Sequence, residues 1–262
     1  MSLKVLHLST CDKFLPSYIR FLQDNLDFSN QEFLLTHGMA VNDLQHHENI
    51  YLAKNSFVSL SKYYFIAIYK MIFAKKIIFH GLFDFRLVCI LFFMPWLLKK
   101  SYWIIWGGDL YTYKVGKKNL RWRIKEFFRR PVIKRFRYLI NVIKGDLELC
   151  KKWYLAEGEF LESITYPSNL SPLGITKFVS DSSFSIKDSM INILVGNSGS
   201  IQNNHYEIFK KIEKYKDHKI SIFTPLTYGD ANYIQEVIYI GKKIFGEDFY
   251  PILAHMTHEE YM

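Results

Sequence analysis

The 262-residue chain has only three cysteines, Cys11, Cys89 and Cys150, far apart and with no Cys-x-x-Cys or Cys/His ligand spacing. This excludes a disulfide scaffold and a structural zinc site, and it points to a reducing compartment. Neither the Gly-x-Gly-x-x-Gly fingerprint nor a P-loop with its Lys-Ser/Thr pair occurs. No Asp-x-Asp pair is present to hold a metal on a nucleotide diphosphate, so no metal and no cofactor are expected. Long apolar runs are missing too. The most hydrophobic segment, Leu87 to Leu98, contains Pro95 and falls well short of the roughly twenty residues that cross a bilayer. It reads as a buried helix, or as a surface element lying on a membrane, since it includes Trp96 and ends in Lys99-Lys100. The start of the chain runs directly into the strand-like Lys4-Val5-Leu6-His7-Leu8, so no signal peptide is expected and the protein should stay in the cytoplasm. Internal repeats are absent, as are low-complexity tracts beyond one Ser-rich stretch.

What the chain does have is apolar and basic. Apolar residues make up 49% of it, ample for a packed core, and the aromatic share is 17%. The net charge of +9 suggests an anionic partner, and much of it is local. From Lys114 to Arg137 there are eleven Lys or Arg residues against the single acid Glu126, with apolar residues interleaved. Such a segment can be a basic amphipathic helix on a membrane surface, a nucleic-acid-binding element, or a solvated helix face.

Short apolar strands alternate with helical patterns throughout, which predicts an α/β fold with doubly wound sheets. Strands are expected at Lys4–Leu8, Gln31–Thr36, Ile50–Leu52, Lys76–Phe79, Ser101–Ile105 and Tyr138–Asn141. Helices are expected at Pro16–Leu26, Phe57–Phe73, Phe85–Leu98 and Leu120–Arg135. A Pro-, Ser- and Asn-rich linker from Tyr166 to Ser189 separates a first domain, 1–178, from a second, 187–262. Three βα units follow in the second domain, the last a helix start at Thr257.

In open α/β sheets ligands sit at the carboxyl ends of strands, and four strand ends break into polar residues. After the strand Ile191–Val195 comes Gly196-Asn197-Ser198-Gly199, then a helix opening near Asn204 and His205. Backbone N–H groups of such a loop, together with the helix N-terminus, can hold a phosphate; an ordinary turn has the same composition. Pro225-Leu226-Thr227-Tyr228-Gly229-Asp230, with Tyr233 one turn on, can stack on a base or sugar or simply form a turn. His80-Gly81 can supply a base or phosphate ligand, or a structural histidine. Trp106-Gly107-Gly108-Asp109-Leu110-Tyr111 suits a sugar platform, with Asp109 either a base or a helix cap.

Taken together, Phe79-His80-Gly81-Leu82-Phe83, Trp106 to Tyr111, Gly145-Asp146-Leu147, Ile193 to Gly199, Asn204-His205 and the Pro225, Tyr228, Tyr233 pattern resemble one family. It is the TDP-N-acetylfucosamine:lipid II N-acetylfucosaminyltransferases, glycosyltransferase family 56, of enterobacterial common antigen synthesis. The resemblance spans nearly the whole chain. It implies a GT-B architecture of two Rossmann-type domains, with transfer of an amino-deoxy sugar from a TDP-sugar to an undecaprenyl-diphosphate-linked saccharide. The first domain would take this polyprenyl-linked acceptor and the second the nucleotide-sugar donor.

The enzyme would be peripheral on the cytoplasmic face of the bacterial inner membrane, with no nucleic-acid partner. Lys117, Lys118, Arg121, Trp122, Arg129 and Arg130 would meet anionic headgroups, with Trp122 and Phe127 as interface anchors. Asp109 and His80 are the expected bases. Gly81, Trp106, Gly107, Gly108, Tyr111, Gly196, Asn197, Ser198, Gly199, Asn204, His205, Pro225, Tyr228 and Tyr233 are the expected substrate contacts. Family members run about a hundred residues further, through the remaining strands of a Rossmann fold, so the second domain reads as incomplete. The other reading is a truncated, non-catalytic remnant that binds the membrane surface.

Overall fold

The computed structural model describes residues 4–12, 14–38, 41, 44, 47–114, 118–166 and 191–254. The chain divides into two compact units, Met1–Ser168 and Asn169–Met262. Most of the expected linker and the helix start at Thr257 lie outside the described residues.

The first unit is built on seven parallel strands: β1 (Val5–Thr10), β2 (Gln31–Thr36), β3 (Ile50–Ala53), β4 (Lys76–His80), β5 (Ser101–Ile104), β6 (Tyr138–Asn141) and β7 (Glu159–Glu162). Their spatial order is β3-β2-β1-β4-β5-β6-β7. From β1 the chain builds outward to β3, then returns to the other side of β1 with β4. The switch of direction therefore lies between β1 and β4, where doubly wound sheets open a crevice at their carboxyl edge. The helices are α1 (Leu15–Asn25), α2 (Phe57–Phe73), α3 (Phe85–Phe93), α4 (Gly108–Tyr111), α5 (Leu120–Arg135) and α6 (Lys144–Tyr154). Leu6, Leu8, Phe79, Trp103 and Leu139 from the strands meet Tyr63, Ala67, Leu91, Val132 and Ile133 from the helices in the main core.

Three local expectations change. The predicted helix Phe85–Leu98 ends at Phe93, because Pro95 has no N–H for the ladder; Pro95–Lys100 tightens into a 3-10 turn instead. Strand β7 carries a glutamate at each end and lacks the apolar signature of a buried strand. It pairs only with β6, and on an edge such residues are tolerated. Helix α6 also went unforeseen; its buried face is Asp146, Cys150 and Tyr154, spaced four apart.

The second unit holds β8 (Ile191–Leu194), α7 (His205–Ile212), β9 (Ile220–Pro225), α8 (Ala231–Phe245) and β10 (Phe249–Ile252). The strands are parallel in the order β10-β9-β8. Phe209, Ile222, Val237, Phe245 and Phe249 form its core. Asp230 caps α8 by accepting from Asn232 N and Tyr233 N, at 3.0 and 2.9 Å.

Candidate functional site

In the first unit the polar strand ends collect at the carboxyl edge. His7 points from β1 into the protein and is 1% exposed, stacked on Phe33 at 4.2 Å. Its Nδ1 lies 3.0 Å from His80 Nε2, and its Nε2 lies 2.9 Å from Gln31 Oε1. His80 Nδ1 in turn meets the Tyr166 hydroxyl at 2.6 Å, and Trp106 Nε1 donates to that hydroxyl at 3.0 Å.

With both imidazoles neutral, as their burial favours, the two ends of this chain set its protons. An indole N–H can only donate, so the Tyr166 oxygen accepts from Trp106 and its own proton goes to His80 Nδ1. His80 is then protonated on Nε2 and donates to His7 Nδ1, while His7 Nε2–H donates to the Gln31 carbonyl. Starting from Gln31, whose oxygen can only accept, gives the same order. Burial pushes His7 down to about 4 against the opposing bond from Gln31. It also holds His80 well below the usual histidine range, with the His7 charge acting in the same direction.

The predicted base His80 is thus 3% exposed, with both ring nitrogens engaged and Tyr166 bonded at the Nδ1 end. Gly81 follows it at φ +84°, a left-handed turn in which a Cβ would lie 2.6 Å from the Phe83 ring.

Asp109 has a different job from the one expected. It is fully buried, and its two oxygens accept four N–H groups. Leu82 N (2.8 Å) and Trp103 Nε1 (2.7 Å) donate to Oδ2, while Trp106 N and Leu110 N, both at 3.0 Å, donate to Oδ1. Burial pushes the carboxyl up, and these donors with the nearby Arg129 charge oppose it. With both oxygens occupied and no exposed surface, Asp109 anchors the loops after β4 and β5 and does not face a substrate. Tyr111 is likewise tethered, donating to Asp146 Oδ1 at 2.6 Å, although its ring stays 38% exposed. Trp106, Gly107 and Gly108 remain at the surface of this edge, only partly covered or exposed.

The predicted membrane helix is corrected at Arg129. Its side chain is buried, donating from Nη2 to the Asp109 carbonyl at 2.6 Å and lying 3.6 Å from Glu126. Arg130 pairs with Glu126 across one turn and lies over Tyr113. Trp122 is partly buried, its indole N–H on the Thr112 carbonyl at 3.2 Å, and Lys118 lies over its ring. Lys117 lies outside the described residues, and Arg121 is exposed. The apolar side of α5, from which Phe127 was expected as an anchor, is exposed. Leu120, Ile124 and Phe127 are 72%, 49% and 65% exposed at one-turn spacing, and Phe127 packs on Phe92 beside the exposed Phe93 of α3.

In the second unit the Gly196–Gly199 loop is closely organised. Asn203 Nδ2 donates to the Ser198 carbonyl at 2.8 Å, with Ser198 Oγ and Asn197 Oδ1 also in reach, and so clamps the loop. Gly199 N donates to the Tyr228 carbonyl at 2.7 Å, and Asp230 N donates back to the Gly199 carbonyl at 3.0 Å. Asn204, left-handed at φ +51°, turns the chain into α7.

His205 is fully buried at the first turn of α7, and its Nε2 has no hydrogen-bond partner. Gly196, at φ +71°, leaves room for that nitrogen; a Cβ there would lie 2.5 Å from it. The Tyr233 oxygen accepts the His205 backbone N–H and lies 3.1 Å from Nδ1, within reach for its hydroxyl to donate to that nitrogen. Where the Tyr233 hydroxyl donates to Nδ1, the orphaned Nε2 is the ring nitrogen that carries the hydrogen. Tyr233, expected to stack on a ligand, is instead 7% exposed and orients His205; Pro225 is buried as the last residue of β9 and presents no surface to a ligand. Tyr228 keeps 37% of its surface. His7, Gln31 and Tyr166 escaped sequence reasoning as site residues. The one signal for His7 was an imidazole in an otherwise apolar strand.

A family model described as 4-alpha-L-fucosyltransferase, glycosyl transferase group 56, matches residues 4–262. Among solved structures the fold is similar to sucrose-phosphate synthase from Thermosynechococcus elongatus, with a TM-score of 0.63 at 10% identity over 98% of this chain and 71% of that one. It is also similar to Anabaena HepE in complex with UDP and glucose (0.61, 12%, 96% and 70%). A third is the trehalose 6-phosphate synthase of Burkholderia multivorans (0.57, 9%, 100% and 75%). At such identities the likeness concerns the fold, which is α/β and GT-B-like. The chain is a glycosyltransferase and belongs to the 4-alpha-L-fucosyltransferases of glycosyltransferase group 56.

Proposed function

We propose that the enzyme moves an amino-deoxy sugar of the N-acetylfucosamine type from a TDP-sugar to an undecaprenyl-diphosphate-linked saccharide, as in enterobacterial common antigen synthesis. The observation that carries the donor half is the buried, unpartnered His205 Nε2 against Gly196. With its hydrogen on Nε2, the imidazole donates to a diphosphate oxygen. Backbone N–H groups of Gly196, Asn197 and Ser198 and the N-terminus of α7 favour the same anion. As the sugar leaves, these donors stabilise charge building on the diphosphate. The family match runs through residues 4–262 and favours transfer over a non-catalytic remnant.

The direct test is a vesicle-based assay with the purified chain, TDP-N-acetylfucosamine and lipid-linked disaccharide. Transfer of the sugar is expected, and failure with every TDP- or UDP-sugar offered would sink the reading. For the donor site, His205→Phe keeps the volume and removes the N–H. Calorimetry with TDP should then show affinity weakened about 10- to 100-fold, the worth of a hydrogen bond to a charged group. An unchanged Kd would place the nucleotide elsewhere.

The acceptor half belongs with a membrane surface. No helix among the described residues is long and apolar enough to cross a bilayer, and the exposed Leu120, Ile124, Phe127 and Phe93 provide a stripe that can lie on one. Exposed Arg121, Arg123 and Lys125 on α5 are available to anionic headgroups. Replacing Ile124 and Phe127 together by Glu should lower flotation with anionic vesicles by about tenfold or more, since each buried apolar side chain contributes about 1.5–3 kcal/mol. Equal flotation of the variant would remove this face from consideration.

A further inference from the structure

The acidic residues of the first unit's carboxyl edge sort by what their oxygens already hold. Asp84 Oδ1 accepts Arg86 N at 2.9 Å and its Oδ2 accepts the Tyr64 hydroxyl at 2.6 Å. Asp109 holds four N–H groups. Asp146 Oδ1 accepts the Tyr111 hydroxyl at 2.6 Å and its Oδ2 accepts Asn141 Nδ2 at 2.7 Å. Asp12 differs. It follows β1, the strand that borders the switch point opposite β4 and His80. Its Oδ1 is buried with no hydrogen-bond partner, and none of the ion pairs among the described residues involves it.

Asp12 lies beside the polar cluster of the carboxyl edge. Two residues on, Phe14 packs against Trp106 at 5.4 Å and Tyr166 at 6.0 Å, which brings this loop to the outer end of the neutral histidine chain. The Asp12 charge is felt there, adding to burial in raising the Tyr166 hydroxyl. An unsatisfied buried carboxylate oxygen is costly unless a donor arrives with a ligand.

Resting on the transfer reaction above, we propose that Asp12 is the general base for the acceptor. Its Oδ1 takes the proton of the attacking hydroxyl as that oxygen bonds to the anomeric carbon of the donor sugar. The bond from that carbon to the diphosphate breaks, and its electron pair leaves with the diphosphate. The carboxyl then returns its proton to solvent. Gln31, His7, His80, Tyr166 and Trp106 serve as a fixed, uncharged platform beside it and leave the carboxylate as the proton acceptor. Such a single displacement inverts the anomeric centre.

The test compares wild type and Asp12→Asn on the lipid-linked disaccharide and on the same acceptor with a thiol in place of the reacting hydroxyl. A thiol, with a pKa of about 8.5, needs far less help to lose its proton. With the hydroxyl acceptor Asp12→Asn should lose kcat about 10²- to 10⁴-fold, with KM and TDP affinity nearly unchanged. With the thiol acceptor the loss should fall below tenfold. Equal losses on both acceptors, no loss on either, or a product of retained configuration would each overturn the assignment. Failure of the underlying reading looks different, because wild type would then transfer to neither acceptor.

Discussion

Replacing Asp109 by alanine is expected to destabilise the first unit by about 3–5 kcal/mol, the cost of removing one partner from a fully buried network of charged hydrogen bonds. The variant orphans the N–H groups of Leu82, Trp103, Trp106 and Leu110, of which Leu82, Trp103 and Leu110 belong to buried residues. Asp109→Asn should do nearly as badly. Its oxygen can serve one pair of donors, but its NH₂ faces the other pair. All five tryptophans lie in the first unit, so a urea titration followed by tryptophan fluorescence reports that unit alone. A midpoint unchanged in Asp109→Ala would mean that the carboxylate is not the anchor described. Loss of activity in this variant is expected as a result of unfolding, which separates it from Asp12→Asn, where folding should persist.

Acidification is the second large effect. A histidine whose folded pKa lies below its unfolded one stays neutral in the fold while the unfolded chain gains a proton. Its contribution is complete above the unfolded pKa of 6.5 and is lost as the pH falls through that value toward the folded pKa. For His7, held down to about 4, the loss across this window is about 3 kcal/mol. His80, also held well below its usual range, acts in the same direction. The fluorescence-detected urea midpoint should therefore stay level from pH 8 to 7 and drop steeply below 6.5. His7→Gln removes one titrating ring and should flatten the slope. The Asp109 carboxyl, pushed up by burial, opposes the trend at the acid end, so the variant comparison isolates the histidine share. A wild-type midpoint that stays level down to pH 4.5 would show that the histidine pair accepts protons without leaving the fold.

The strands and long helices were legible in the sequence because apolar periodicity and caps are local. Gln31–Thr36, Phe57–Phe73, Leu120–Arg135 and Tyr138–Asn141 fall where the pattern placed them. Strand β7 was not legible, since an edge strand with a glutamate at either end carries no such pattern. The site divides in the same way. Gly196, Ser198 and His205 sit in a contiguous strand–loop–helix that announces itself. The pairing of His7 with His80 joins residues 73 positions apart, and no local rule joins them. Arg129 looked like any other cation of a basic helix; only the fold reveals that it reaches the Asp109 carbonyl. Asp12 was invisible for the opposite reason, because what marks it is a missing partner.

The paired backbone bonds between Gly199 and the Tyr228–Asp230 turn have a consequence for how this protein can vary. They make the loops after β8 and β9 a single mechanical part, so the proposed diphosphate cradle is formed in advance and little ordering would remain to oppose binding. The same union restricts change. An insertion in either loop must deform both, and a new preference for the sugar or base would have to be written in side chains such as Tyr228 and Asn204, at constant loop length.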